Sequence, residues 1–381
     1  DLRAASRSFP TRRSSDLVYM TLMTFVYLIA GLVLLVAGAE VLVRGAAKLA
    51  AQFGIPPLII GLTVVAFGTS APETAVSVQA ALDGKGDLAI GNVVGSNIAN
   101  VLFILGLTAL IAPLLVSRQI IRLDVPIMIG ASLLTWALAW DGSLDRIDGA
   151  LLFGGIVAYT AFLIIMSRRD KTAAGDEFSE EFGLHETPKP YAWAINLALI
   201  LGGLVLLVSG SNYLVEGAVI LARTLGLSEL VIGLTVVAVG TSLPELATSL
   251  MAAIKGERDI AVGNIVGSNI FNLLCVLGLA SLVSPNAIPV AANALNFDFP
   301  VMIAVAIACL PIFFNGYCIN RWEGAVFVGY YAVYTAYLVM HNTAAPGLSV
   351  FQEAMLGFVL PLTTITLLIV GARAWQRQRH L

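Results

Sequence analysis

The chain has 381 residues, of which 58% are hydrophobic and 12% charged, with a mean hydropathy of +0.90. Soluble domains carry about 25% charged residues, so a soluble globular protein is excluded. A disordered chain is excluded as well, and a net charge of −3 offers no basic field to nucleic acid. Cys275, Cys309 and Cys318 stand in or beside apolar stretches without metal-ligand spacing. They read as small packed hydrophobes, with no disulfide and no zinc.

Residues 1–17, DLRAASRSFPTRRSSDL, are polar, carry four arginines and meet an apolar run at Val18. They lack a signal-peptide core. Ser8 to Leu17 resembles the translation of a sequencing adapter, and we expect a non-native leader there. Apolar runs long enough to cross a bilayer follow near 20–43, 57–82, 88–115, 123–140 and 148–166. A polar stretch, 167–190, reads as a linker too short to fold as a domain of its own. Five more runs lie near 192–215, 229–254, 260–283, 298–315 and 323–340, and an eleventh near 351–372 precedes Arg373, Arg377 and Arg379.

If eleven helices alternate from an outside N-terminus, the inner loops hold 14 Lys and Arg, and the outer loops hold only Lys85, Arg146 and Arg223. That positive-inside bias makes the linker cytoplasmic in a multi-pass membrane protein.

The chain repeats itself. The segment from Gly61, GLTVVAFGTSAPETAVSVQAALDGKGDLAIGNVVGSNIANVLFILGL, aligns without a gap on the segment from Gly233, GLTVVAVGTSLPELATSLMAAIKGERDIAVGNIVGSNIFNLLCVLGL. The offset is 172, and about 30 of the 47 positions are identical. Fainter echoes relate Asp124 and Pro126 to Asp298 and Pro300, and Tyr159-Thr160 to Tyr334-Thr335. An odd number of spans per half predicts an all-α membrane protein of two inverted five-helix repeats, 18–166 and 191–340, with residues 341–381 adding an eleventh helix and a basic tail. Inverted repeats of this kind are the architecture of secondary transporters, which bind substrate at the midplane on broken helices.

The repeated motif supplies those breaks. Pro72 cannot donate a backbone hydrogen bond and crowds the carbonyl of Gly68, and Pro244 does the same after Gly240. Opened backbone at membrane depth is tolerated where it lines a cavity. Beside the breaks stand Thr69, Ser70 and Glu73, with Thr241, Ser242 and Glu245. Each buried carboxylate costs roughly 3 kcal/mol on insertion scales, and no basic residue lies in these helices to offset it. A bound cation is the natural counter-charge, and all-oxygen ligands suit Ca²⁺ or Na⁺. Ser96 and Asn100, with Ser268 and Asn272, each spaced i, i+4, complete an oxygen cage. Asn92, Asn97, Asn264 and Asn269 read as bridges between helices, and the motif glycines as close-packing points. Glu40 pairs with Arg44 one turn on. Asp124 and Asp298 read as helix N-caps. His185, His341 and His380 fall in loops or the tail, so no histidine relay is expected.

Paired GTSxPE segments, each followed by GNxxGSNIxN, resemble the calcium/cation antiporter superfamily, specifically its prokaryotic sodium/calcium exchangers, over residues 20–340. The resemblance implies that Glu73 and Glu245 bind both Ca²⁺ and Na⁺, aided by Ala66, Thr69, Ser70, Ser96 and Asn100 and by Ala238, Thr241, Ser242, Ser268 and Asn272. It implies three Na⁺ exchanged for one Ca²⁺. Some relatives, including potassium-dependent ones, have Asp where this chain has Asn272, so K⁺ independence is expected here. The expected partners are these ions and the lipid bilayer, with no cofactor, no nucleic acid, and a monomer or homodimer. A Ca²⁺/H⁺ antiporter using the same site is the nearest alternative and a passive channel a more distant one. No nucleophile-base pair or nucleotide loop suggests an enzyme.

Overall fold

A computed structural model of the chain describes residues 13–181, 191–224, 238–343 and 345–379. Nearly all of these are helical. The helices are α1 (Arg13–Phe53), α2 (Pro57–Thr69), α3 (Ala71–Leu82), α4 (Gly86–Ile111), α5 (Ile120–Asp141) and α6 (Arg146–Glu181). They continue with α7 (Ala192–Thr224), α8 (Leu243–Ile254), α9 (Arg258–Val283), α10 (Ala294–Phe314), α11 (Arg321–Asn342) and α12, which covers 348–379. Eight described helices are long and apolar enough to cross a membrane, or nine if α2 and α3, bent by 47° at their junction, form one span. With 22 residues, α11 has the length of a span, but its four tyrosines lower its apolarity. Residues 225–237, the start of the run expected at 229–254, lie outside the described residues, as do residues 1–12 of the expected leader and 182–190 of the linker.

Several boundaries differ from expectation. Helix α1 begins at Arg13 rather than Val18, and α6 carries on to Glu181, well into the stretch read as linker. Helix α12 extends past Arg373 and Arg377 to Arg379. His341 sits in the last turn of α11, stacked on Tyr337, rather than in a loop. Glu40 pairs with Arg44 at 2.7 Å as expected, and also takes Lys255 at 2.9 Å, tying α1 to the turn after α8.

Helices α1 and α7 run antiparallel in close contact, and glycines set how close. Gly31, Gly38 and Gly45 on α1 face Gly210, Gly203 and Asn196 on α7. The glycines recur every seven residues on each helix, so they line one seam along both. A Cβ built at Gly38 would lie 2.8 Å from the Leu207 amide nitrogen and 2.9 Å from the Gly203 carbonyl. Backbone cannot yield as a side chain can, so only glycine fits there.

Two short antiparallel ribbons close the ends. Strand β1 (Leu114–Leu115) pairs with β4 (Cys318–Ile319), and β2 (Ser143–Leu144) pairs with β3 (Ile288–Pro289). Helix α5 separates β1 from β2 by about 33 Å, so the two ribbons lie at opposite ends of the bundle. Arg118, over the Tyr317 ring, and Arg321, donating to the Ile111 carbonyl, sit at the β1–β4 end. At the other end Arg146 donates to the Ser284 carbonyl. Asp145 there takes the backbone N–H groups of Ile147 and Asp148 at 2.7 and 2.9 Å, capping α6, and these bonds hold its carboxyl below the ordinary carboxylate range.

The seam makes a test. Gly38→Val should lower the thermal unfolding midpoint of the purified protein sharply and shift it toward aggregate on size exclusion. Gly154→Ala, where nothing lies within 4 Å, should leave the midpoint unchanged or slightly higher.

Candidate functional site

Both motif copies fold alike. Helix α2 ends at Thr69, Ser70 leaves the helical region at φ −81°, ψ 11°, and α3 restarts with Pro72 in its first turn, where a missing N–H costs nothing. In the second copy a short turn, Ala238–Gly240, precedes Ser242 at φ −91°, ψ 8°, and Pro244 opens α8. The carbonyl freed by Pro244 is not idle, however: Ser211 of α7 donates to Gly240 O at 2.6 Å. After each broken helix a glycine with positive φ, Gly84 at 73° or Gly256 at 85°, turns the chain into the next long helix, α4 or α9.

The breaks bring the two carboxylates together in the interior, where Glu73 and Glu245 are both fully buried. Their tethers cross between the copies. Ser70 Oγ donates to Glu245 Oε1 at 3.0 Å, and Ser242 Oγ donates to Glu73 Oε1 at 3.3 Å. Each carboxylate keeps its second oxygen, Oε2, without a hydrogen-bond partner. Among the described residues neither Glu forms an ion pair.

Other oxygens are open on the same terms. Asn100 Oδ1, Thr241 Oγ1, Thr248 Oγ1, Ser268 Oγ and Asn272 Oδ1 are buried without partners. Buried polar atoms are normally bonded, so these open oxygens are unused acceptors. Six of the eight unpartnered buried side-chain atoms among the described residues belong to the two motifs, the others being Thr248 Oγ1 and Ser281 Oγ. No group of three or more His, Cys, Asp or Glu gathers among the described residues, so the negative charge here is limited to the two Glu.

The asparagines split into two kinds. Asn92 Nδ2 donates to Ser77 Oγ at 2.9 Å and to the Glu73 carbonyl at 3.3 Å. Asn264 Nδ2 mirrors it, donating to Ser249 Oγ at 3.0 Å and to the Glu245 carbonyl at 3.5 Å. These bonds brace each broken helix against its long neighbour. Asn97 and Asn269 instead cross from α4 to α9, as bridges between helices. Asn100 and Asn272 each begin a π-helical turn, Asn100–Leu105 and Asn272–Leu277, a distortion that often marks functional positions.

The expected site residues fall into several groups. The crossed bonds join Glu73, Glu245, Ser70 and Ser242, and Ser96 lies beside them with its Oγ 3.4 Å from Ser242 Oγ, while Asn100, Ser268 and Asn272 are each buried with one oxygen unpartnered. Thr69 Oγ1 donates its hydrogen to Asn264 Oδ1 at 3.1 Å, whereas Thr241 Oγ1 has no partner. The carbonyl of Ala66 accepts the Ser70 amide at 3.0 Å, and Ala238 opens the turn before Gly240. Thr248, one turn beyond Glu245, and Ser211 were not anticipated. Position i+3 from a site Glu would have pointed to Thr248, but nothing in the sequence points to Ser211. The expectation that Asp124 and Asp298 cap helices is wrong. Neither makes a capping bond; Asp124 accepts from Tyr159 Oη at 2.9 Å, and Asp298 from Tyr334 Oη at 3.0 Å.

A bundle of long apolar helices, broken at a buried cluster of carboxylate, hydroxyl and amide oxygens, defines a polytopic membrane transporter. The sodium/calcium exchanger protein family matches over residues 23–165 and 195–340, and the chain belongs to that family. The sodium/calcium exchanger MaX1 of Methanosarcina acetivorans is 34% identical over 350 residues, covering 84% of this chain and 99% of the relative. Inner membrane protein YrbG of Escherichia coli is 38% identical over 289 residues, covering 76% and 89%. Among solved structures, the sodium-calcium exchanger NCX_Mj superposes with a TM-score of 0.71 at 29% identity, covering 84% of this chain and 99% of that one. The protein is thus a multi-pass inner-membrane antiporter of this family and not an enzyme.

The bracing asparagines should be structural. Asn264→Ala strands Ser249, the Glu245 carbonyl and Thr69 together, and should cost about 1–3 kcal/mol of stability, measured by thermal unfolding in detergent.

Proposed function

We propose that this chain exchanges Na⁺ for Ca²⁺ by alternating access, with Glu73 and Glu245 as the charged pair that both ions share. The observation that carries the reading is the pair itself: two buried carboxylates, each with one oxygen held by the opposite motif's serine and the other open. Two negative charges match one Ca²⁺, and the remaining ligands are the neutral oxygens of Thr69, Ser70, Ser96 and Asn100, of Thr241, Ser242, Ser268 and Asn272, and the carbonyls of Ala66 and Ala238. Hard oxygen donors suit Ca²⁺ and Na⁺. Either one Ca²⁺ or several Na⁺ fills the cage, and the empty doubly negative cavity is too costly to reorient, so exchange is obligatory.

The frame for this is a pair of inverted five-helix repeats, 18–166 and 191–340, joined by a cytoplasmic linker at 167–190 and followed by an eleventh helix. Matching hydrogen bonds in the two copies, 172 residues apart, support that frame. So does the pairing of the ribbons β1–β4 and β2–β3 across the two halves. With three Na⁺ entering for each Ca²⁺ leaving, one net charge moves inward, worth about 2.3 kcal/mol per 100 mV, so the membrane potential drives calcium out. The likeness to a relative named as a sodium/calcium exchanger, 34% identical over 350 residues, favours Na⁺ over H⁺ as the coupling ion.

Purified protein in proteoliposomes tests this by uptake of radioactive calcium. An outward Na⁺ gradient should drive uptake, an outward H⁺ gradient should not, and Glu73→Gln should abolish it. Uptake driven by the proton gradient instead would make the chain a Ca²⁺/H⁺ antiporter. Uptake with no gradient, or full uptake by Glu73→Gln, would overturn the site.

A further inference from the structure

Asn97 and Asn269 supply no ligand to the proposed cage, yet the geometry points to them as the residues that orient it. We infer that each is a positioning residue that turns a cage amide in the opposite repeat, so that its carbonyl oxygen rather than its NH₂ group faces the cation. The inference rests on the cation site proposed above.

The argument runs through donors and acceptors. Asn97 Nδ2 donates to the backbone carbonyl of Asn269 at 3.2 Å and points its other hydrogen at Met302 Sδ, 3.8 Å away. A carbonyl and a thioether only accept, so the Asn97 amide has one possible orientation. Its Oδ1 is then fixed as an acceptor, and the group facing it is Asn272 Nδ2 at 3.1 Å. Asn272 must present NH₂ to Asn97, so its Oδ1 is turned away, buried and unpartnered.

The mirror relay runs the other way. Asn269 Nδ2 donates to the Asn97 carbonyl at 3.4 Å and to Met128 Sδ at 3.5 Å, leaving its Oδ1 to accept from Asn100 Nδ2 at 3.0 Å. Asn100 Oδ1 is left open in turn. All four asparagines are buried, so water does not compete for these bonds. Without the relay, a cage asparagine can turn its NH₂ inward, and a donor facing a cation repels it. The amide orientation is thus set from backbone carbonyls at the crossing of α4 and α9, across the repeats: Asn97 serves Asn272, and Asn269 serves Asn100.

That crossed pairing is testable by equilibrium binding of Ca²⁺ alone to the purified full-length protein. Asn97→Ala should raise the half-saturating Ca²⁺ concentration about tenfold, the scale on which groups that orient metal ligands act. Combined with Asn272→Ala it should add nothing, because the amide it orients is gone. Combined with Asn100→Ala the two effects should multiply. The mirror cycle, Asn269→Ala, should be silent on Asn100→Ala and multiply with Asn272→Ala, so the test survives if one variant does not fold. A merely structural role would multiply with both partners alike, and that result, or unchanged affinity in Asn97→Ala and Asn269→Ala, would overturn the relay. Glu245→Gln in the same assay separates the two claims. If it still binds Ca²⁺ normally, the cation site itself fails; if it loses binding while both cycles multiply throughout, only the relay fails.

Discussion

The structure turns on one electrostatic constraint: two carboxylates, fully buried and without a basic partner among the described residues, must coexist in the middle of an apolar bundle. Each is half satisfied by a serine from the opposite motif. Holding those serines in place requires the helices to be broken beside them, which Pro72 and Pro244 accomplish. It also requires bracing: Ser211 takes up the freed Gly240 carbonyl, and Asn92 and Asn264 hold each broken helix against its long neighbour. The remaining charge is what the protein is built to leave unmet.

Packing around this centre uses two different devices. At the crossing of α4 and α9, reciprocal amide bonds among Asn97, Asn100, Asn269 and Asn272 tie the two copies together. Along the periphery, α1 and α7 meet through a seam of glycines, where close backbone contact replaces specific bonds. Hydrogen bonds between asparagines fix register and orientation, whereas a smooth glycine seam fixes only distance. An exchanger that must present one cage to two sides needs its centre held to a defined geometry and its flank held less specifically, and this division of labour suits the proposed cycle.

Much of the site was legible because its determinants are local or repeated. A Pro break beside a Glu in an apolar helix can be read within six residues, and finding it twice excludes coincidence. The crossed tethers were less legible: Ser70 reaching Glu245 and Ser242 reaching Glu73 depend on how the two halves meet, which a local reading cannot show. Asp124 and Asp298 illustrate the failure. A local rule read each as an N-cap because a proline follows two residues later, but tyrosines 35 and 36 residues away win the carboxylates instead. The signal was present in the repeat, since both the Asp and the Tyr recur in the second half, and a shared recurrence of two polar groups marks a contact. Ser211 has no such echo, its counterpart being Ala39, so nothing in the sequence marks it.

The central claim is that the paired carboxylates form a single charge-matched site shared by two competing ions. Calorimetric titration of the purified protein with Ca²⁺, at a series of fixed Na⁺ concentrations, addresses it most directly. The account predicts one Ca²⁺ per chain, an apparent affinity that weakens steeply and without a plateau as Na⁺ rises, and no binding heat when Glu73 and Glu245 are both replaced by Gln. Two independent Ca²⁺ sites, or an affinity indifferent to Na⁺, would contradict it.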